Sequence, residues 1–183
     1  INEDYREKVT QNAVFVFGDF TVFDKNGKDI SYRFSPKLRS LFALILFHSI
    51  ENEGISTDML TAELWSNKDT NSAKNIRGVT INRLRGILKD LCGISLLLQD
   101  SKWYFSLNTS FYCDYIEYKE IVSNIKDKNT DDEDNNMFKL FAVLKRGALF
   151  PNLQESWIDA HKHVYENEIE KILWKYILKL SKN

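Results

Sequence analysis

The sequence predicts an α+β fold: a small N-terminal antiparallel sheet, three helices, a closing β-hairpin and then an all-α segment. Three observations carry this reading. Short β-branched and aromatic runs broken by turn residues come first, between Ala13 and Phe34. Three apolar stripes at helical spacing follow, each behind a capping residue, between Ser35 and Leu91. Two further strand-like runs lie directly after the third stripe, and only helical periodicity comes after them.

Residues 1–12 are polar without a clear period and predict a loosely held lead-in. Ala13–Phe17, Phe20–Phe23 and Ile30–Phe34 predict a meander of three or four strands, with Asn26-Gly27 as a hairpin turn. Ser35-Pro36 pairs a helix N-cap with a fitting first helical residue. Leu38, Leu41, Phe42, Ile45 and Leu46 then form one stripe, ended at Asn52–Gly54, and Ile55 fits a short strand. Ser56-Thr57-Asp58 caps a second, short helix over Met59–Trp65, and Ser66–Asn71 reads as a loop. Ser72 caps a third helix running to about Leu91, with Ile76, Val79, Ile81, Leu84, Ile87, Leu88 and Leu91 as its apolar positions. Cys92-Gly93 stops it. Ile94–Leu98 and Trp103–Leu107, joined by Gln99–Lys102, predict a hairpin.

The character changes near residue 110. Tyr115–Ile125 and Met137–Leu144 predict helices on either side of an acidic loop, Asp127–Asn136, and Arg146-Gly147 ends the second. Ser156–Leu180 predicts a long amphipathic helix with Ile158, Tyr165, Ile169, Ile172, Leu173, Tyr176 and Leu180 on one side. Successive helices of this kind fit the start of a helical-repeat array whose last stripe is left for a neighbour to cover. The expected division is a lead-in over 1–12, one domain over 13–110 and a partial helical domain over 111–183. The chain begins with Ile1 rather than Met, which predicts a piece of a longer protein.

Composition restricts the function classes. Aromatics at 13% predict a core rich in rings, and a net charge of -1 denies the chain the global basic excess common among nucleic-acid binders. Any duplex-binding charge must therefore be local. Ser72–Leu91 supplies it: five basic residues, Lys74, Arg77, Arg83, Arg85 and Lys89, stand against one acid, Asp90, for a local net +4. Asn75, Thr80 and Asn82 interleave with the apolar stripe, and Arg and Asn are the side chains that grip guanine and adenine bidentately. Gly78 inside this helix fits either a close approach of the backbone to DNA or close packing on another helix. A capped short helix, a loop, a basic helix and a hairpin together read as a helix-turn-helix with a wing, whose tip carries Lys102.

Enzyme chemistry finds no support. His161 and His163 are two apart and point to different helix faces, and no Gly-rich phosphate loop or nucleophile–base set appears. Asp131–Asp134 lacks calcium-loop spacing. Cys92 and Cys113 are not in metal-ligand spacing and read as reduced, partly buried thiols of a cytoplasmic protein. No metal or cofactor is expected, and no apolar run is long enough for a membrane span.

Particular motifs resemble a known family. Ser72–Leu88, with its Ile81-Asn-Arg-Leu-Arg85 core, resembles the recognition helix of OmpR/PhoB-type winged helices, and Leu60 with Leu64-Trp65 resembles the helix before it. Phe17-Gly18, Val22 and Ser35–Leu38 resemble the opening sheet and first helix. Asp114–Tyr118, Arg146–Pro151 and Ser156–Ala160 resemble the tetratricopeptide-like bacterial transcriptional activator domain. That pairing is characteristic of SARP/AfsR-like regulators. The resemblance implies a cytoplasmic, nucleoid-associated transcription activator that binds double-stranded promoter DNA, at repeated half-sites and as a homodimer or in tandem. It implies that Lys74, Asn75, Arg77, Thr80, Asn82, Arg83 and Arg85 form the DNA-binding set with Lys102, and that Ser66–Asn71 touches RNA polymerase. Asn82 and Gly86 depart from commonly basic or charged positions. The competing reading is a winged-helix and helical-repeat module for protein–protein interaction without DNA.

Overall fold

Turn chemistry shapes the first described residues. The computed structural model describes residues 11–127 and 133–182. β1 (Ala13–Phe15) and β2 (Thr21–Phe23) pair antiparallel. The expected Asn26-Gly27 turn is present: Asp24 accepts from the Asn26 and Lys28 amides at 2.8 and 3.0 Å, and Gly27 takes φ +82°. The third expected strand is not. After a single bridge between Phe23 and Asp29, residues Ser31–Arg33 form a 3-10 turn. The Asp29 carboxylate accepts from the Ser31 amide at 2.8 Å, and the Ser31 hydroxyl in turn accepts from the Val22 amide at 2.8 Å. These side-chain bonds outcompete the ladder. The third strand of the sheet is β6 (Tyr112–Cys113), which runs parallel to β1.

α1 (Pro36–Glu51) begins behind Ser35, whose hydroxyl accepts from the Leu38 amide. It is the spine of the core: Leu41 through Phe47 are all buried. The expected ring-rich interior is centred on Phe42, which lies 5.2 Å from Phe105, 6.0 Å from Phe34 and 6.2 Å from Phe20 between ring centroids. β3 (Ile55–Ser56) leads into α2 (Thr57–Trp65), with Ser56 as its cap. α3 spans Thr70–Leu88. It starts three residues earlier than expected because Asp69, not Ser72, is the cap: its carboxylate accepts from the Asn71 and Ser72 amides at 3.1 and 3.0 Å. β4 (Ile94–Gln99) and β5 (Lys102–Leu107) form the expected hairpin through Asp100 and Ser101, both at positive φ, and β3 pairs with β5.

The first compact unit runs to Pro151 and takes in α4 (Asp114–Lys126) and α5 (Glu133–Leu144), which pack on each other. α5 includes Glu133–Asn136, which the sequence placed in the acidic loop; Asp131 and Asp132 of that run, and the lead-in through residue 10, lie outside the described residues. Two glycines allow the chain after α5 to return to the first sheet. Gly18 (φ +74°) and Gly147 (φ +127°) touch, and a Cβ on Gly18 would strike the Arg146 carbonyl. The Gly18 amide then donates to Ala148 at 2.9 Å and the Phe150 amide to Val16 at 2.8 Å.

A buried polar cluster ties β1 to α4 and to the end of α5. The Asp114 carboxylate, fully buried, accepts from the Val16 and Phe17 amides at 2.9 and 3.3 Å and pairs with Arg146 at 3.4 Å. Arg146 also lies 4.9 Å over the Phe15 ring and donates to the Tyr112 hydroxyl at 2.9 Å; that hydroxyl donates to Glu117. Burial pushes the Asp114 carboxyl up to about 6, against the lowering effect of the two amides and Arg146. Burial likewise raises the Cys113 thiol, and burial then Glu117 raise the Tyr112 hydroxyl. Cys113 is buried as expected, whereas Cys92 is exposed.

Residues Asn152–Asn183 form a second unit, essentially α6 (Ser156–Leu180). Lys162 donates to the Leu153 carbonyl at 2.8 Å, and the Trp157 indole to Glu155 at 2.5 Å, tying down its first turns. Trp174, Ile177, Leu178 and Leu180 are exposed. Among the described residues, no helix is long and apolar enough to cross a membrane.

Candidate nucleic-acid interface

α3 is held by its inner face. Ala73, Ile81, Leu84, Ile87 and Leu88 are buried. Two residues of the expected apolar stripe are not in it: Ile76 is 38% exposed and Val79 55% exposed. From Thr70 to Leu88 the helix holds four cations and no acid.

The eight expected site residues separate into two groups. Lys74, Asn75, Asn82 and Arg83 are exposed on the outer face, and Lys102 is exposed on the first residue of β5. Thr80 is not available. It is buried, and its hydroxyl donates to the Ile76 carbonyl at 2.7 Å, so it belongs to the helix and not to a ligand. Arg77 is half-buried and donates to the Thr61 hydroxyl of α2 at 2.5 Å. Arg85 is half-buried and turned toward the hairpin: its Nε and Nη2 both donate to the Leu96 carbonyl at 3.3 Å, and its guanidinium lies 5.3 Å over the Trp103 ring. The spacing of a basic helix does not reveal which cations have partners inside the protein.

The outer face also holds what charge and hydrogen-bonding patterns do not pick out. Val79 stands one turn from Asn75 and Asn82 or Arg83, at i+4 and i−3 or i−4 spacing, and presents an apolar surface. Its exposure could have been read from the outer-face register of Asn75 and Asn82. Gly78 and Gly86 lie on the same side, and a Cβ at either would meet nothing within 4 Å. Close packing of Gly78 on another helix is thus absent among the described residues. A groove of about 450 Å³ between α2 and α3 is lined by Thr61, Trp65, Ser66, Lys68, Lys74 and Arg77. Among the described residues no cluster of three His, Cys, Asp or Glu side chains is arranged to hold a metal ion.

Element order and outer face together define a mixed α+β protein. A solved structure it resembles is EmbR of Mycobacterium tuberculosis, in complex with a low-affinity phosphopeptide, at TM-score 0.63 and 17% identity. The likeness covers 86% of this chain and 42% of that one, so this chain spans less than half of its neighbour's length. At that identity the likeness establishes the fold alone. No family model and no curated protein sequence matches the chain.

Proposed function

We propose that this chain is a sequence-specific DNA-binding transcription regulator of the activator type, which lays the outer face of α3 in the major groove. The observation that carries this reading is the acid-free outer face itself: Lys74 and Arg83 beside Asn75 and Asn82, on a helix fixed by a fully buried inner row. Lys74 and Arg83 supply phosphate neutralisation, the asparagines a bidentate match for adenine, and Val79 an apolar contact for a thymine methyl. Lys102 on the hairpin reaches the flanking phosphate backbone. In this reading residues 13–110 are the winged-helix domain and 111–183 a partial tetratricopeptide-like activator segment. Ser66–Asn71 faces RNA polymerase, and repeated half-sites take two chains. The fold supports the reading by analogy only, and the site residues carry it.

Fluorescence anisotropy on duplexes enriched from a random library tests it. Salt-sensitive binding is expected, weakened by about tenfold or more in Arg83→Ala, by the cost of losing one good base or phosphate contact. Binding that ignores both salt and Arg83 counts against it. The net charge of -1 and the exposed Trp174, Ile177, Leu178 and Leu180 favour a second reading, a protein-docking module. Partner capture that survives Arg83→Ala and Lys74→Ala, without duplex binding, would select that one.

A further inference from the structure

We propose that Arg85 is a positioning residue that clamps the β4–β5 hairpin onto α3; that it thereby presents Lys102 to a duplex rests on the reading above. One guanidinium engages both strands. It donates twice to the carbonyl of Leu96 on β4 and covers the ring of Trp103 on β5. β4 is an edge strand of its sheet, so this carbonyl is held by a side chain where no further strand pairs. Trp103 is itself held from the other side: its indole donates to the Thr57 hydroxyl at 2.9 Å, and the Thr57 amide donates to Ser101 in the turn at 3.0 Å. The hairpin therefore sits between the start of α2 and the last turn of α3, with Trp103 at the centre.

Arginine suits this task and lysine does not. A planar guanidinium stacks on a ring and donates in its own plane at once; an ammonium offers a point charge without that pair of geometries. The consequence divides the Arg83-Leu-Arg85 motif. Arg83, exposed, is free to read; Arg85, half-buried, sets the angle between helix and hairpin. Together with the pairing of β3 to β5, the clamp holds Leu97, Leu98 and Lys102 exposed in a fixed place.

Amide hydrogen exchange on the full chain without DNA tests the clamp. Arg85→Met keeps the stem and should speed exchange across Ile94–Leu107 by about tenfold while α1 stays as in the parent. Arg85→Lys should give a smaller, severalfold effect in the same segment, and Arg83→Ala none. Should Arg85→Met fail to fold, Arg85→Lys decides. Unchanged hairpin exchange in the folded variant, or acceleration spread equally through α1, overturns the clamp. Where the parent binds a duplex, Lys102→Ala should weaken it in the parent and change little in the Arg85→Met background. Additive losses would place Arg85 on the duplex and overturn the positioning role. Where the parent binds no duplex, the regulator reading falls, and the exchange result still judges the clamp.

Discussion

Asp114 makes a quantitative prediction about stability. Its carboxyl is fully buried at the start of α4 against the end of β1, and burial pushes it up to about 6 from the ordinary 3.8, despite the Val16 and Phe17 amides and Arg146 at 3.4 Å. Between those two values the folded chain binds more protons than the unfolded one. Stability from this group is therefore complete below about pH 4 and is lost as pH rises through about 6. A separation near two units corresponds to about 3 kcal/mol at most. Tyr112 and Glu117 share Arg146 with this carboxyl, and Cys113 lies beside it. Asp24 in its turn and the exposed Asp29 and Asp69 are all shifted downward by hydrogen bonds and act in the opposite sense, so the total profile is a mixture. Asp114→Asn isolates the one group. Urea unfolding of parent and variant at pH 4.5, 5.5 and 7 should show the parent losing ground to the variant as pH rises. A difference independent of pH, or one that grows in the parent's favour on going to pH 7, would show that the ion pair with Arg146 outweighs burial.

Three further outcomes follow from local geometry. Gly78→Ala fills open space on an exposed helix and should raise unfolding stability by about 1 kcal/mol; a simultaneous fall in duplex affinity would mean that the backbone closely approaches DNA. Asn12→Ala should cost about 2–3 kcal/mol by thermal or urea unfolding, because its carboxamide accepts from the Cys92 amide at 2.5 Å and donates to the Cys92 carbonyl at 2.8 Å and to Ser110. Gly18→Ala should cost at least about 1–2 kcal/mol, from a positive φ with the Arg146 carbonyl in the way; a neutral result would mean the return of Ala148–Phe150 to β1 is not needed.

Local signals made much of this fold legible. Ser35 before Pro36, Ser56 before α2 and the paired runs about Asp100-Ser101 each act within a few residues, and α1, α2, the hairpin and α6 lie close to where those signals put them. What escaped depends on distant partners. β6 is two residues long and exists because Tyr112 and Cys113 pair with Ala13 and Val14. Asn12, in what reads as a lead-in, is a buried staple to residues 92 and 110. The strand expected over Ile30–Phe34 lost to Asp29 and Ser31, whose polar side chains satisfy the backbone locally. In the candidate site, composition revealed the cations of α3 and not their directions. Thr80 turned inward and Arg77 and Arg85 acquired neighbours on α2 and the hairpin, all through contacts between elements.

That division of the cations changes the expected salt dependence. If every basic residue from Lys74 to Lys89 met a phosphate, with Lys102 added, six phosphates would be neutralised per bound chain. Arg77 is committed to Thr61 and Arg85 to Leu96 and Trp103, which leaves Lys74, Arg83, Lys89 and Lys102 exposed. With about 0.9 counterion released for each neutralised phosphate, the logarithm of affinity should fall against the logarithm of salt with a slope of roughly −4 per chain, not −5 to −6. Titration of one duplex from low to moderate salt measures it. A slope near −5 to −6 would mean that the two engaged arginines leave their partners on binding. A slope near zero would remove the electrostatic basis of duplex recognition by α3.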